Sequence, residues 1–358
     1  MKNIISNEQR KYLGLQLIDP NWKEIDVESP NFQDFKVTIF VDDNIVKKCI
    51  IYGEKKYKEM QLDEELTKNL DAIIPKNDKK RTSSLDSIIN KSAVGMTLSF
   101  DAPNISLYNE LTHKRFYTNY FEYKSNIQSI NDFENWVENW CNSTFEEELF
   151  NLNKFASETE PKQVKFKEGD IFKVKLSKDL YGYGKVLLNY NNLLKENTPF
   201  WNCFTVPPIV AKLYHILTTS SSVSVKEVES LKSFPSEFIL SDNLVSGEYE
   251  IIGHSEVDYE NESFPIMYGK ELLVKNTTFY QCGKYYKKLE NTTPLYNNFK
   301  FSNVALNIGF DINLMKTCIE QNSNNAYYEF GPFIVNNDLR NPKNSEQLSN
   351  IIEQLSKE

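Results

Sequence analysis

The alternation of apolar and polar positions is clearest between residues 169 and 188. After the turn signal Gly169-Asp170, Ile171, Lys173 and Lys175 fall on one side of an extended chain, and Phe172, Val174 and Leu176 on the other. Successive strand side chains point to opposite faces, so this period of two predicts a half-buried strand. Ser177-Lys178-Asp179 supplies a polar turn, and residues 181–188 supply the returning strand. Gly182 and Gly184 lie two apart on one face, where a missing side chain permits a bend or a close backbone approach. Together these features open a small, strongly curved β-meander.

The same reading extends upstream. Residues 37–41 and 45–52 flank the short turn Asp42-Asp43-Asn44 as a hairpin, and residues 96–100 and 105–109 form a second strand pair. Residues 62–70 are expected to be helical, ended by Ile73-Ile74-Pro75, with a charged, serine-containing loop over 75–92. Asn131-Asp132-Phe133-Glu134 has the form of a capping box with Asn131 as N-cap. Phe133, Trp136, Val137 and Trp140 then recur at helical spacing, an aromatic stripe that belongs to a core. Ser143-Thr144-Phe145-Glu146 restarts a helix that runs to about Phe155.

A polar stretch ending in proline, Ser157-Glu158-Thr159-Glu160-Pro161-Lys162, marks a boundary between domains at 1–156 and 157–358. Beyond it, residues 209–217 read as an apolar strand, and Ser224-Val225-Lys226-Glu227 is a capping box that opens a short helix. Residues 237–240 and 248–252 are further strands, and 270–280 continue the β pattern. Leu348, Ile351, Ile352 and Leu355 space as an amphipathic C-terminal helix. The fold class expected is α+β: an N-terminal α+β domain, then a β-rich domain on a twisted, barrel-like antiparallel sheet.

Composition narrows the function classes. With 358 residues and 13% aromatics, the chain can bury two ordinary cores. A net charge of −9 disfavours direct binding to nucleic acid, which rests on accumulated Lys and Arg. The compact basic run Lys79-Lys80-Arg81 reads as a solvated loop. An acidic surface suits a partner that is itself basic. The first residues lack the apolar core of a signal peptide, and no stretch approaches the roughly 20 apolar residues of a membrane span. Five scattered cysteines (Cys49, Cys141, Cys203, Cys282, Cys318) suggest free thiols in a reducing cytoplasm.

Gly169-Asp170-Ile171-Phe172, followed by Tyr181-Gly182-Tyr183-Gly184-Lys185-Val186-Leu187, resembles the opening hairpin of the immunity protein 26 family. Gly247-Glu248-Tyr249-Glu250-Ile251-Ile252-Gly253-His254 and then Phe264-Pro265 extend the resemblance, which covers roughly residues 160–290. The resemblance implies a protein of bacterial polymorphic toxin systems that neutralises a cognate toxin. The family label is shared with a phosphotriesterase, so the alternative it implies is a hydrolase acting on phosphoesters.

Catalytic chemistry is sparsely supplied. The histidines His113, His215 and His254 stand alone, a poor ligand set for a binuclear metal hydrolase, and His215 reads as a core histidine. Gly253-His254-Ser255-Glu256-Val257 resembles a nucleophile elbow, but Val257 replaces its closing glycine and no helical pattern follows. Gly182-Tyr183-Gly184-Lys185 is too short between its glycines for a phosphate loop. The expectation is therefore no catalytic residue, no metal and no cofactor, with a toxin protein as partner. Glu256, Asp258, Glu260 and Glu262 alternate along a segment that also holds Tyr259. Their mutual repulsion predicts an exposed, extended loop, with acids that imitate a nucleic-acid backbone and an aromatic anchor for the toxin. Asp132, Glu134 and Glu138 on the last N-terminal helix are the second choice.

Overall fold

The computed structural model describes residues 4–121, 126–200, 207–270, 277–290, 292–296, 312–330 and 338–357. The chain divides into two compact units, Met1–Lys162 and Gln163–Glu358.

The first unit opens with a short helix, α1 (Asn7–Tyr12), whose N-cap Ser6 forms a capping box with Gln9. Strands β1 (Lys23–Val27), β2 (Phe35–Asp42), β3 (Ile45–Gly53) and β4 (Lys56–Leu66) follow as an antiparallel meander. Asp43, with φ of 53°, turns the β2–β3 hairpin. β5 (Ala72–Ile74) and β6 (Ser83–Ser84) attach beside the end of β4. β7 (Met96–Asp101), β8 (Asn104–Asn109) and β9 (Lys114–Thr118) extend the sheet from the start of β4. Helices α2 (Ile130–Asn142) and α3 (Glu146–Ala156) complete the unit.

The structure departs from three local expectations. Residues 62–66 are strand, because β4 pairs with β3 on one edge and with β5 on the other, and Leu62, Glu64 and Leu66 alternate inward. Residues 75–92 are not all loop: β6 and a 3₁₀ turn, Leu85–Asn90, seat Ile88 in the core. The cap of α2 is Ser129, two residues before Asn131; its hydroxyl accepts from the Asp132 amide, and Asp132 accepts from the Ser129 amide. Asp132 thus does what Glu134 was expected to do.

Both faces of this sheet are covered. Phe40, Ile50, Leu98 and Leu107 pack with Phe133, Val137, Trp140 and Leu152 of the helices. Val37, Ile39, Cys49, Ile51 and Leu62 pack with Ile73 and Ile88 on the other side. The aromatic stripe is core as expected: Phe133 stacks on Phe100 at 5.0 Å, and Trp140 meets Tyr117 edge-on at 5.0 Å.

The second unit begins with the hairpin β10 (Asp170–Lys175) and β11 (Tyr181–Asn189). α4 (Tyr190–Lys195), β12 (Ile209–Leu213), α5 (Val225–Glu229), β13 (Glu237–Ile239), α6 (Asp242–Val245) and β14 (Glu250–His254) follow. The five strands are ordered β13-β12-β11-β10-β14, all antiparallel. A second sheet comprises β15 (Ile266–Lys270), β16 (Thr277–Cys282) and β17 (Tyr285–Glu290). α7 (Ile312–Glu320), α8 (Asn325–Phe330) and the amphipathic α9 (Ser345–Ser356) end the chain. The molecule is α+β with large, twisted antiparallel sheets, which stay open and do not close into a barrel.

β10 and β11 are more buried than alternation alone predicts. Ile171, Tyr183 and Tyr214 on one face are covered by Val228 of α5 and by Ile216 and Val223 before it. On the other face Phe172 lies opposite Gly184 and stacks on Tyr249 at 5.4 Å. Gly184 is required there: a Cβ would lie 2.4 Å from the Phe172 ring and 2.5 Å from the Lys212 carbonyl. Among the described residues, no helix is long and apolar enough to cross a membrane.

Candidate functional site

The segment from His254 to Ser263 leaves β14 and returns to β15, and three polar clusters hold it. The first is built where Gly169, with φ of +90°, lets the chain at His254 and Ser255 pass against its backbone. A Cβ on Gly169 would fall 2.4 Å from the Ser255 carbonyl, and the Ser255 amide donates to the Gly169 carbonyl at 2.9 Å. Asp170 accepts from the Lys167 amide at 2.8 Å and lies 3.0 Å from His254 Nδ1.

The second cluster lies under the start of the loop. Lys185 of β11 donates to Glu229 of α5 at 2.9 Å and to the Glu256 carbonyl at 2.8 Å. Tyr214 donates to Glu229 at 2.9 Å, and the Ser255 hydroxyl donates to its other oxygen. Burial alone would raise the Glu229 pKa, but hydrogen bonds from Ser255, Lys185 and Tyr214 hold it below the usual glutamate range. Ser255 is thus a donor to a stabilised carboxylate, and no helix follows it. The resemblance to a nucleophile elbow ends at the sequence.

The third cluster fixes the return. Both oxygens of Glu262 accept from Lys212 of β12, at 2.6 and 2.9 Å, and both side chains are only 13% exposed. Lys212 also lies over the Tyr214 ring, 5.2 Å from its centroid. A polar cleft of about 190 Å³ opens beside this return, lined in part by Lys212, Ser236, Asp258, Glu262 and Ser263.

These contacts separate the five residues of the expected surface. Glu256, Asp258 and Glu260 are exposed, and the Glu256 side chain is 98% so. Glu262 is not part of that exposed set; it is the loop's internal anchor. The loop is also not extended: residues 259–261 form a turn organised by Asp258. The Asp258 carboxylate accepts from the Asn261 side chain at 2.7 Å and the Glu260 amide at 3.3 Å, while its carbonyl accepts the Asn261 and Glu262 amides. Those hydrogen bonds, the Asn261 side chain foremost, lower the Asp258 pKa. Repulsion between the acids is relieved by this turn and by the lysine pair rather than by stretching the chain.

Tyr259 crowns the turn at 39% exposure. Its hydroxyl donates to Glu168, its ring stacks on Phe264 at 6.2 Å, and Lys284 Nζ sits 3.9 Å over the ring centroid. Lys284 also pairs with Glu168 at 3.6 Å. Partial burial, then the hydrogen bond to Glu168, raise the Tyr259 pKa, so the ring stays a neutral phenol at physiological pH. Glu168, Lys185, Lys212, Glu229 and Lys284 were not singled out in the sequence. Lys185 and Lys212 carried a legible signal, since a lysine inside an apolar strand requires an acidic partner.

The remaining candidates are elsewhere. His113 is exposed in a turn with φ of 56°. His215 lies just past β12, buried against Phe234 at 4.3 Å, with Nε2 2.9 Å from Asn324 and, among the described residues, no hydrogen-bond partner for Nδ1. On α2, Asp132 is used in the cap, Glu134 is half-buried and Glu138 is exposed. Cys49, Cys141, Cys282 and Cys318 are free thiols; burial pushes Cys49 up to about 12. Cys203 lies outside the described residues. Among the described residues, no three His, Cys, Asp or Glu side chains group as a metal site.

The three pinned clusters and the loop between them all fall within one region of the chain that matches a known family. Residues 167–278 match the model of the family described as Immunity protein 26. The match begins just before Glu168 and ends inside β16, so it takes in the whole five-stranded sheet and the 254–263 loop. It lies in the second half of the chain and leaves the first unit outside it. No curated protein and no solved structure matches the chain. The immunity family suggests a protein that neutralises a toxin by binding it, in a role that is not enzymatic.

Proposed function

We propose that this protein is a cytoplasmic immunity protein that binds a cognate bacterial polymorphic toxin and blocks it by occupation of its surface. The observation that carries the reading is the family match over residues 167–278, the region that holds the acidic loop. In this reading Glu256, Asp258 and Glu260 face the toxin, Tyr259 is the aromatic anchor, and Glu262 holds the loop from beneath.

The physics of the loop supports that division of labour. Exposed carboxylates steer a basic partner at long range, whereas a rigid, half-buried tyrosine gains contact area at little entropic cost. Tyr259 is already fixed by Phe264, Glu168 and Lys284, so little ordering remains to be done on binding. A toxin with a basic, phosphate-binding cleft fits this surface, and a nuclease is the toxin class we propose. Charge-assisted hydrogen bonds from its arginines and lysines would meet the loop acids where phosphates otherwise sit.

The experiment is co-expression with the toxin domain of any polymorphic toxin found encoded next to this gene. Growth rescue together with a complex that survives size-exclusion chromatography is the expected result. Rescue without a complex, or turnover of an aryl phosphotriester by the purified protein, would overturn the reading.

A further inference from the structure

The first unit carries a second concave surface, outside the family match. A cleft of about 600 Å³ lies between the β1–β2 connection, the β3–β4 turn and the first turn of α2. That volume is in the range of ligand pockets and exceeds what one small ion needs. The sequence builds it from three local features. Phe32 and Phe35 flank the start of β2 with their rings 5.2 Å apart. Gly53, paired with Phe35 across the sheet, carries no side chain, and a Cβ there would lie 2.4 Å from the Asp34 carbonyl. The Ile130 amide at the start of α2 donates to the Glu54 carbonyl at 2.7 Å, which closes the third side.

The chemistry of the cleft is two-part. Phe32, Phe35 and Tyr52 supply half-buried aromatic surface, while Asp34, Glu54 and Glu134 supply three carboxylates. Among the described residues, none of these carboxylates makes a hydrogen bond or an ion pair, and Lys36 is the one cation in the lining. Lys56 Nζ rests 5.1 Å from the Phe35 centroid, an instance within the chain itself of a cation held against this ring. A phosphate would meet three like charges here. A neutral apolar ligand would strip water from carboxylates and give nothing in return.

We propose that this cleft binds lysine or arginine side chains of a basic peptide segment on a protein partner, as a docking site separate from the 254–263 loop. The aliphatic stem lies along the aromatic rings, and the cationic head meets Asp34, Glu54 and Glu134.

The test uses the full chain and a fluorescein-labelled hexapeptide of alternating lysine and glycine, titrated by fluorescence polarisation at low salt. The same peptide acetylated on its lysines is the control. The expected results are at least tenfold weaker binding for Asp34→Asn/Glu54→Gln/Glu134→Gln and for the acetylated peptide. Phe35→Leu, which changes no charge, should weaken binding severalfold. Glu256→Gln/Asp258→Asn/Glu260→Gln should change it less than twofold. Should a cleft variant misfold, peptide-induced NMR shifts of the Phe32, Phe35 and Tyr52 rings in the wild type give the same answer. No binding, equal binding of the acetylated peptide, loss only in the loop variant, or ring shifts elsewhere would each overturn the proposal.

Discussion

Glu59 carries an unusual share of the first unit's organisation. Its carboxylate is fully buried among two cations and a phenol: Arg10 donates to it at 2.8 and 3.1 Å, Tyr57 at 2.6 Å, and Lys48 completes the set. Burial alone would push the Glu59 pKa up, but Lys48 and Arg10 together hold it at about 2. Lys48 is moved the other way from its ordinary preference, below the usual lysine range, because burial outweighs the one carboxylate it shares with Arg10. Removing the shared anion would leave two buried cations unpaired, so Glu59→Gln should destabilise the chain by about 3–5 kcal/mol in urea unfolding. The sign with pH follows from the depressed carboxylate. Its stabilisation is present above the unfolded value of about 4.3 and is lost as pH falls toward 2. Acid unfolding in that window should therefore flatten in Glu59→Gln, and an unchanged acid limb would contradict the assignment. His215 has the same pH sense for a different reason, since here it is the neutral form that burial favours. Burial lowers its pKa, so folding favours the neutral ring, and stability should rise with pH through the unfolded value of about 6.5. Melting temperature measured between pH 5 and pH 8 should rise less in His215→Asn than in the wild type.

Among the elements, the β10–β11 hairpin sets the geometry on which the loop depends. Phe172 can fold over β11 only because Gly184 presents a hydrogen, and the Lys212 backbone closes the same space. Gly184→Val should cost about 1–3 kcal/mol through overpacking and backbone strain, read as a lower urea midpoint. An unchanged midpoint would mean that the space is not needed. This hairpin, the β2–β3 and β7–β8 pairs and the stripe on α2 were legible in the sequence, because each carries its own period and turn residues. What was not legible depended on partners distant in sequence. Residues 62–66 look helical by composition, and only pairing with β3 and β5 makes them strand. The loop acids look equivalent along the chain, and only Lys212, fifty residues away, distinguishes Glu262 from the rest. Ser129 was passed over as a cap because its partner is Asp132 rather than a glutamate.

At the scale of the whole molecule, a net charge of −9 favours encounter with a basic partner, and the loop is where exposed acids and an ordered aromatic coincide within the family match. Steering and holding are separable in rates: exposed charges act mainly on association, and buried anchors on dissociation. Glu262 belongs in neither class, since its loss would release Lys212 and loosen the loop. The direct measurement is the binding kinetics, on the immobilised protein at low salt, of a toxin domain that it protects against in co-expression. The wild type is compared with Glu256→Gln/Asp258→Asn/Glu260→Gln and with Tyr259→Ala. Association at least tenfold slower and less salt-dependent is expected for the triple variant, and dissociation at least tenfold faster for Tyr259→Ala. Wild-type rates in both variants would contradict the loop's role.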